Sequence, residues 1–270
     1  MISASAGAQL YTFQTQRILG YGFILSEDMK SAEEKARLSL MNNKVEEIYG
    51  IRENGDTTFK VRIDRKGRAL SFNKNDKYKR EGERRTFEYN YDNELTYFSM
   101  WKSDNSFIES EIRYEGNKPV YSRYDAGNSR ITTSRAEYNG DTLVRVRMDA
   151  VSPGDSTQLV FKVKYAQDTI LFLPDLEILY WKRFDKQKSI FTLISKPDTA
   201  LTIEGTTDQK FNYFFSNNNL VRTEADVEGA GVVYQEFYYK ENGLMDYAVS
   251  TQKIGVSEGR TDFHYVYYED

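Results

Sequence analysis

The sequence predicts an all-β fold, with one N-terminal helix followed by a curved antiparallel sheet of serial β-hairpins. Three observations support this prediction. Apolar and polar residues alternate along most of the chain, short polar turns separate the alternating segments, and the pattern returns about every 25 residues. Alternation with period two is typical of strands that have one buried and one solvated face. Repetition of two strands and a turn then predicts a serial array of hairpins.

The helix is predicted over residues 26–43. Ser26 precedes an acidic first turn, and Ser31 with Glu34 has the spacing of a capping box. The pair Asn42-Asn43 ends the pattern. Apolar residues recur at helical spacing within this range: Met29, Ala32, Ala36 and Leu40.

From Lys44 onward the sequence is typical of strands and turns. Phe59, Val61 and Ile63 share one predicted face of a strand, and the residues between them are polar. The same alternation recurs over residues 87–91, 108–114, 159–165, 211–215 and 263–267. We therefore expect half-exposed antiparallel strands throughout this region.

Asparagine–glycine pairs mark three of the predicted turns. Asn54-Gly55, Asn139-Gly140 and Asn242-Gly243 predict type I′ turns, in which both central residues have positive φ. The segments Arg65–Arg68 and Asn217–Asn219 predict slightly longer turns. Hairpins therefore dominate the predicted architecture.

Aligning the turns shows an internal repeat. Each unit has an aromatic or aliphatic residue, one further residue, an aromatic residue, a polar turn, and then Leu or Val. The interval between two of the anchor positions leaves room for one degenerate unit near Leu193. The anchor positions of successive units are assigned to Ile63, Tyr91, Tyr114, Tyr138, Tyr165, Phe215, Tyr239 and Tyr267.

The unit Tyr89-Asn90-Tyr91-Asp92-Asn93-Glu94-Leu95 resembles the tyrosine-rich YD-type β-hairpin repeats of bacterial surface and secreted proteins. Similar degenerate repeats occur in exported proteins of the Bacteroidetes type. The resemblance covers residues 44–270, although the family's common glycine before the leucine-bearing strand is missing at Asn93-Glu94. It implies an antiparallel β array with an interaction or structural role, and it implies no catalytic residue.

The N-terminal segment, residues 1–25, precedes the helix. Within residues 1–9, Ala4-Ser5-Ala6 fits the A-x-A pattern of a signal-peptidase site, so this stretch is either the remnant of a signal peptide or a disordered terminus. Export predicts a periplasmic, cell-surface or secreted protein; the absence of cysteine is equally compatible with the cytoplasm. Residues 44–270 form one predicted repeat domain, with a sub-boundary near residue 152 at the Pro153-Gly154 linker.

Composition excludes several classes of function. The chain has 270 residues, no Cys, one His and a net charge of −4. Thiolate metal sites and Cys nucleophiles are therefore absent, and a nucleic-acid partner, which needs a basic face, is not expected. No apolar run is long enough for a transmembrane helix, which needs about 18 residues. We assign no cofactor, metal site or catalytic residue.

Two candidate chemistries are weighed against simpler interpretations. His264 is the one imidazole, and a partly exposed strand histidine is the expected interpretation. A glycoside hydrolase needs two carboxyl groups at a defined separation, and Glu109 with Glu111, or Glu224 with Asp226, would share a strand face. Arginines accompany both pairs, as in a solvated sheet face, so enzymatic activity is not the favoured hypothesis.

The aromatic surplus is more informative, with 21 Tyr, 16 Phe and 2 Trp. Tyrosines on both faces of a strand favour one of two interpretations. Either the rings cover one another across a single-layer sheet, or they form a binding platform for sugars or peptides. Trp101 and Trp181 fall outside the repeat, and with Tyr97 and Tyr180 they are the candidate ligand-binding residues. The leading hypothesis is a non-enzymatic exported protein that presents its sheet to a protein or glycan. The alternatives are a periplasmic carrier or chaperone of an apolar ligand in a half-barrel, and a carboxylate-pair hydrolase.

Overall fold

A computed structural model describes most of the chain between residues 27 and 269. The described ranges are 27–74, 82–101, 106–125, 127, 131–152, 155–166, 169–174, 192–196, 200–204, 210–227, 231–252 and 259–269. They contain one helix, α1 (Glu27–Asn42), and 18 strands that pair in an antiparallel manner. The predicted fold class, an antiparallel β protein with one helix, is confirmed.

The strands follow one another in chain order. They are β1 (Val45–Arg52), β2 (Thr57–Ile63), β3 (Ala69–Lys74), β4 (Glu83–Tyr89), β5 (Leu95–Trp101), β6 (Phe107–Glu115), β7 (Lys118–Asp125), β8 (Ile131–Asn139), β9 (Thr142–Ser152), β10 (Asp155–Ala166), β11 (Thr169–Pro174), β12 (Thr192–Lys196), β13 (Ala200–Glu204), β14 (Lys210–Ser216), β15 (Asn219–Val227), β16 (Gly231–Tyr239), β17 (Met245–Gln252) and β18 (Gly259–Tyr267).

Each strand from β2 to β17 pairs with the strands before and after it in the chain. Pairing continues from β9 to β10 on either side of residues 153–154. Strand β1 pairs with β2 on one side and with β18 on the other. The pairings of the described strands therefore form a closed cycle, with the first and last strands side by side.

Strand β2 has an apolar face and a polar face. Phe59, Val61 and Ile63 are all at most 2% exposed, whereas Lys60 and Arg62 between them reach solvent. We call the face that contains Phe59 the inner face and the opposite one the outer face. The buried core extends over both ends of the chain and includes Ala32 and Leu40 of α1. The alternation predicted for this strand is confirmed.

Helix α1 agrees closely with its predicted range, but its start differs in detail. Ser31 lies inside the helix, so the predicted capping box at Ser31 and Glu34 was wrong. Glu34 instead pairs with Arg37 at 2.6 Å, one turn further along, because both side chains project from the same side of the helix. The helix ends where Lys44 adopts a left-handed conformation, with φ of 53°.

Polar contacts attach α1 to turns at one end of the sheet. The Arg37 side chain donates to the carbonyl of Lys66 at 2.7 Å, and Lys35 donates to that of Asn217 at 2.6 Å. The Asn43 side chain donates to the backbone carbonyl of Asn242 at 3.3 Å, and the Asn242 side chain donates to Asn43 Oδ1 at 3.0 Å. The helix therefore lies against the end of the sheet that carries the β2–β3, β14–β15 and β16–β17 turns.

The turn types differ from those predicted at the Asn–Gly pairs. In Asn54-Gly55, Asn139-Gly140 and Asn242-Gly243 the glycine alone has positive φ, so the type I′ assignment was wrong. Positive φ at both central residues occurs instead at Asn217-Asn218, with values of 48° and 57°. Asn93, with φ of 67°, stands at the turn position that Gly67 and Gly243 occupy in other units. Asparagine tolerates this conformation better than most residues, so the missing glycine does not prevent the turn.

Half-buried tyrosines connect a hairpin to the preceding one at four places in the described residues. The hydroxyl of a tyrosine at the end of one strand donates to the backbone carbonyl at the start of a strand in the previous unit. The separation in sequence is 19 residues in three cases and 20 in the fourth. The four bonds run from Tyr114 to Leu95 (3.0 Å), Tyr138 to Pro119 (3.0 Å), Tyr239 to Leu220 (2.7 Å) and Tyr265 to Met245 (2.6 Å).

The hydrogen bonds and the burial of the tyrosines correct two of the assigned repeat anchors. Tyr265, rather than Tyr267, makes the hydrogen bond in the last unit, and Tyr267 is 48% exposed. Tyr89, rather than Tyr91, ends strand β4 and packs against the core, whereas Tyr91 is 88% exposed in the following turn. With these two changes the intervals between successive anchors become more uniform, which supports the repeat itself.

The buried hydroxyl of Tyr265 predicts a loss of stability at alkaline pH. Burial raises the pKa of Tyr265 above that of the unfolded chain. Its contribution is therefore fully present below about pH 10 and is lost as the pH rises through the folded-state pKa. We expect Tyr265→Phe to cost about 0.5–1.5 kcal/mol at pH 8 through the lost hydrogen bond, and to flatten the decline above pH 10. Urea unfolding between pH 8 and 11 measures both effects.

The exposed Tyr267→Phe is the matched control, two residues away on the same strand. It should leave the stability at pH 8 unchanged, because Tyr267 is 48% exposed. Parallel alkaline declines for Tyr265→Phe and the parent protein would contradict this role for the buried hydroxyl.

Candidate functional site

Two of the four predicted ligand-binding residues lie on the outer face of β5. Trp101 is 51% exposed at the end of that strand, and Tyr97 lies four residues before it. Trp101 pairs across the sheet with Phe107 of β6, and their ring centroids are 4.4 Å apart at an interplanar angle of 42°. Trp101 and Phe107 therefore form a partly exposed aromatic pair at the end of the β5–β6 hairpin. Trp181 and Tyr180 lie outside the described residues.

A hydrogen-bonded network of charged side chains lies beside this pair. The Tyr97 hydroxyl donates to Glu109 Oε2 at 3.3 Å, and Arg123 Nη1 donates to Glu109 Oε1 at 2.8 Å. Arg123 also donates through Nη2 to Asp125 Oδ2 at 2.9 Å. We call the following six residues the Trp101 platform: Tyr97, Trp101, Phe107, Glu109, Arg123 and Asp125.

The electrostatics of the platform follow from these contacts. Burial, together with the negative charge of Glu109, raises the pKa of the Tyr97 phenol. The hydrogen bond to Glu109 raises the pKa of Arg123, which stays cationic between two carboxylates. The side chains of Glu109 and Arg123 are each 30% exposed, so the network is fixed yet reachable from solvent.

A glycine fixes the Phe107 side of the platform. Gly127 has φ of 75°, and an added Cβ would overlap the backbone carbonyl of Phe107. The Gly127 amide also donates to Asp125 Oδ1 at 3.0 Å. Gly127 therefore lies against the Phe107 backbone and holds the Asp125 carboxylate.

The candidate carboxylate pairs are held by arginines. Glu109 accepts from Arg123, and Glu111 accepts from the exposed Arg113 at 2.7 Å. Glu224 pairs with Arg222 at 2.7 Å, and the side chain of Asp226 lies outside the described residues. A glycosidase needs two carboxyl groups directed at one glycosidic bond, whereas these carboxylates are bridged to arginine side chains. These contacts are those of a salt-bridged sheet surface.

Neither His264 nor a metal-binding cluster provides a second candidate site in the described residues. His264 is exposed on the outer face of β18, opposite Tyr49 of β1. The described part of the chain holds no group of three or more His, Asp or Glu side chains arranged to bind a metal ion.

Outer-face tyrosines elsewhere stack on cations or on each other. The Arg260 guanidinium lies 4.0 Å from the ring centroid of Tyr247, which stacks on Tyr238 at 4.3 Å and 14°. Arg222 covers Tyr234 in the same way at 4.3 Å. Such stacks support the interpretation that the tyrosines cover one another across strands. The Trp101–Phe107 pair differs because it joins two apolar rings.

Sequence reasoning found Tyr97 and Trp101 by residue type, and named Glu109 only as part of a carboxylate pair. It missed Phe107, Arg123 and Asp125 as members of the same group. These residues come together through the register of β5, β6 and β7. The signal available in the sequence was the hairpin spacing, which places Phe107 opposite Trp101 once the β5–β6 pairing is assumed.

The comparisons with known proteins show no family. No family model matches the sequence, and no curated protein sequence matches it. Among solved structures, the chain is similar to a porin-like protein from Bacteroides uniformis, with a TM-score of 0.38 and 10% sequence identity. That similarity covers 82% of this chain and 96% of the other. Within the described residues, no helix has the length and apolar character needed to span a membrane.

Proposed function

We propose that this chain is an exported, non-enzymatic binding protein that presents the outer face of its sheet to a protein or glycan partner. The observation that carries the proposal is the half-exposed Trp101, packed against Phe107, with a hydrogen-bonded polar network at neighbouring positions of the same face. Export is supported by the A-x-A pattern at Ala4-Ser5-Ala6 and by the resemblance to YD-type repeats of exported proteins. Export and the resemblance to YD-type repeats are both predictions from the sequence.

The platform has the composition of a binding hot spot. Tryptophan, tyrosine and arginine are the residues most enriched where truncation costs binding energy, and all three are present here. Arg123 is pre-oriented by two carboxylates, so little side-chain entropy is lost when a partner arrives. The outer face around the platform is charged and solvated. Such a surface is typical of the rim of an interface whose partners also exist separately in water.

Replacing Trp101 by alanine is expected to weaken partner binding at least tenfold while the protein stays folded. The loss of a half-exposed indole removes apolar contact area without opening the core. The measurement is binding to a panel of oligosaccharides and peptides by calorimetry, with circular dichroism as the folding check. The matched control is Tyr91→Ala, which removes an exposed aromatic from a turn in the same sheet. Retained binding by Trp101→Ala would refute the platform as the docking site.

A second candidate function, a carrier of an apolar ligand, is favoured by the inner face. The closed cycle of pairings directs an apolar surface inward, and α1 lies against one end of it. A carrier should retain a stoichiometric amount of lipid through purification. Trp101→Ala should then leave this lipid binding unchanged.

A further inference from the structure

We infer that the Trp101 platform binds a neutral glycan through vicinal hydroxyl groups. This inference rests on the proposed function and specifies the chemical class of the partner. It depends on three properties of the platform: an exposed apolar ring surface, planar polar groups with free bonding capacity, and a charge balance that disfavours ionic ligands.

The aromatic pair supplies the apolar half of a sugar site. A pyranose ring presents a face of C–H groups that packs on an indole, and its rim carries hydroxyls. Trp101 is 51% exposed, and Phe107 supports it from the adjacent strand. Trp and Tyr combine an apolar surface with a polar edge, which matches this amphipathic ligand.

The charged network supplies the polar half. Glu109 and Asp125 accept hydrogen bonds, and Arg123 is a planar donor between them. Each carboxylate has about four acceptor positions, so ion pairing with Arg123 leaves capacity for a ligand. Adjacent sugar hydroxyls both donate and accept, so two of them can bond a carboxylate and a guanidinium together.

The charge balance argues against ionic ligands. At Glu109 and Asp125, a sulfate or phosphate group would face two carboxylates and a guanidinium that both of them already engage. A cationic peptide would have to displace Arg123 from carboxylates that it already bridges. A neutral hydroxylated ligand adds hydrogen bonds and breaks none of these pairs.

The pairing of the strands also disfavours an extended peptide. Peptides commonly bind sheets by adding a strand to a free edge. Here each described strand has two hydrogen-bonded neighbours, including β1 between β2 and β18. A partner that meets the outer face must therefore use side chains, as a glycan would at the Trp101 platform.

The test uses Trp101 as its own reporter. The chain has two tryptophans, so the difference in emission between the parent protein and Trp101→Phe gives the signal of Trp101. We titrate both proteins with neutral gluco-, xylo- and manno-oligosaccharides, their sulfated forms, and neutral and arginine-rich peptides. We expect a saturable change in emission with at least one neutral oligosaccharide, and at least tenfold weaker binding of its sulfated form.

Glu109→Gln tests the polar half and should weaken oligosaccharide binding about fivefold or more. Its matched control is Glu137→Gln, since Glu137 also pairs with an arginine on the outer face but lies on β8, outside the platform. Glu137→Gln should bind like the parent.

The possible outcomes separate this inference from the proposed function. Peptide binding that depends on Trp101, with no oligosaccharide bound, would overturn the glycan assignment and leave the docking site standing. No Trp101-dependent binding of any ligand would overturn both. Tighter binding of the sulfated form, or equal binding by Glu109→Gln and the parent, would overturn the neutral-glycan assignment alone.

Discussion

Leu220→Ala is expected to lower the free energy of unfolding by about 2–5 kcal/mol. Leu220 is fully buried at the start of β15, where it pairs with Phe215 of β14. Its carbonyl accepts the hydroxyl of Tyr239 at 2.7 Å, which fixes the adjacent unit in place. Because the neighbouring strand is held in this way, the structure cannot relax fully into the cavity left by the removed side chain. Urea unfolding followed by far-UV circular dichroism measures the loss.

The matched control is Leu70→Ala, the same substitution in a strand of the same sheet. Leu70 lies on β3 and is 38% exposed, so its truncation should cost less than 1 kcal/mol, about what surface changes cost. Equal losses for the two variants would show that burial on the inner face is not what stabilises the array.

Local patterns predicted the strands well because a strand's faces are decided by neighbours two residues apart. Phe59, Val61 and Ile63 alternate with polar residues in the sequence and alternate in burial in the structure. The helix was also predictable, since its apolar spacing and its asparagine end are local signals. The chain therefore revealed its fold class from short-range information.

The turn types and the identity of the repeat anchors depended on details that the sequence motif does not contain. The run Tyr89-Asn90-Tyr91 satisfies the repeat with either tyrosine, yet only Tyr89 packs against the core. Strand β4 ends at Tyr89, so Tyr91 falls in the following turn, where its ring is 88% exposed. A turn that needs one residue of positive φ and a turn that needs two both accept Asn–Gly, so the dipeptide alone did not distinguish them.

The candidate site needed long-range register. Trp101 was identifiable by residue type, but Arg123 joins it only because β6 pairs with both β5 and β7. The closure of β1 on β18 joins residues from opposite ends of the chain, and no local pattern reports such a contact. The attachment of α1 to turn carbonyls was unpredictable for the same reason, since backbone acceptors carry no sequence signature.

Gly50→Ala is expected to destabilise the protein by about 1–3 kcal/mol through overpacking where the cycle closes. Gly50 lies on β1 between Phe59 of β2 and Phe263 of β18, and the two rings meet across it with centroids 5.9 Å apart. An added Cβ would overlap the ring of Phe59, which is only 2% exposed and has no free space to move into. Thermal and urea unfolding measure the loss.

A double-mutant cycle with Phe59→Leu tests this cause. Leucine is smaller than the ring that covers Gly50, so the alanine should cost much less in the Phe59→Leu background. The expected coupling is about 0.5–3 kcal/mol, with the double variant more stable than the two separate losses imply. Additive losses would mean that the Phe59 ring is not the obstacle and that Gly50 serves β1 in another way. The result matters for the whole array, because β1 is the strand through which the last hairpin meets the first.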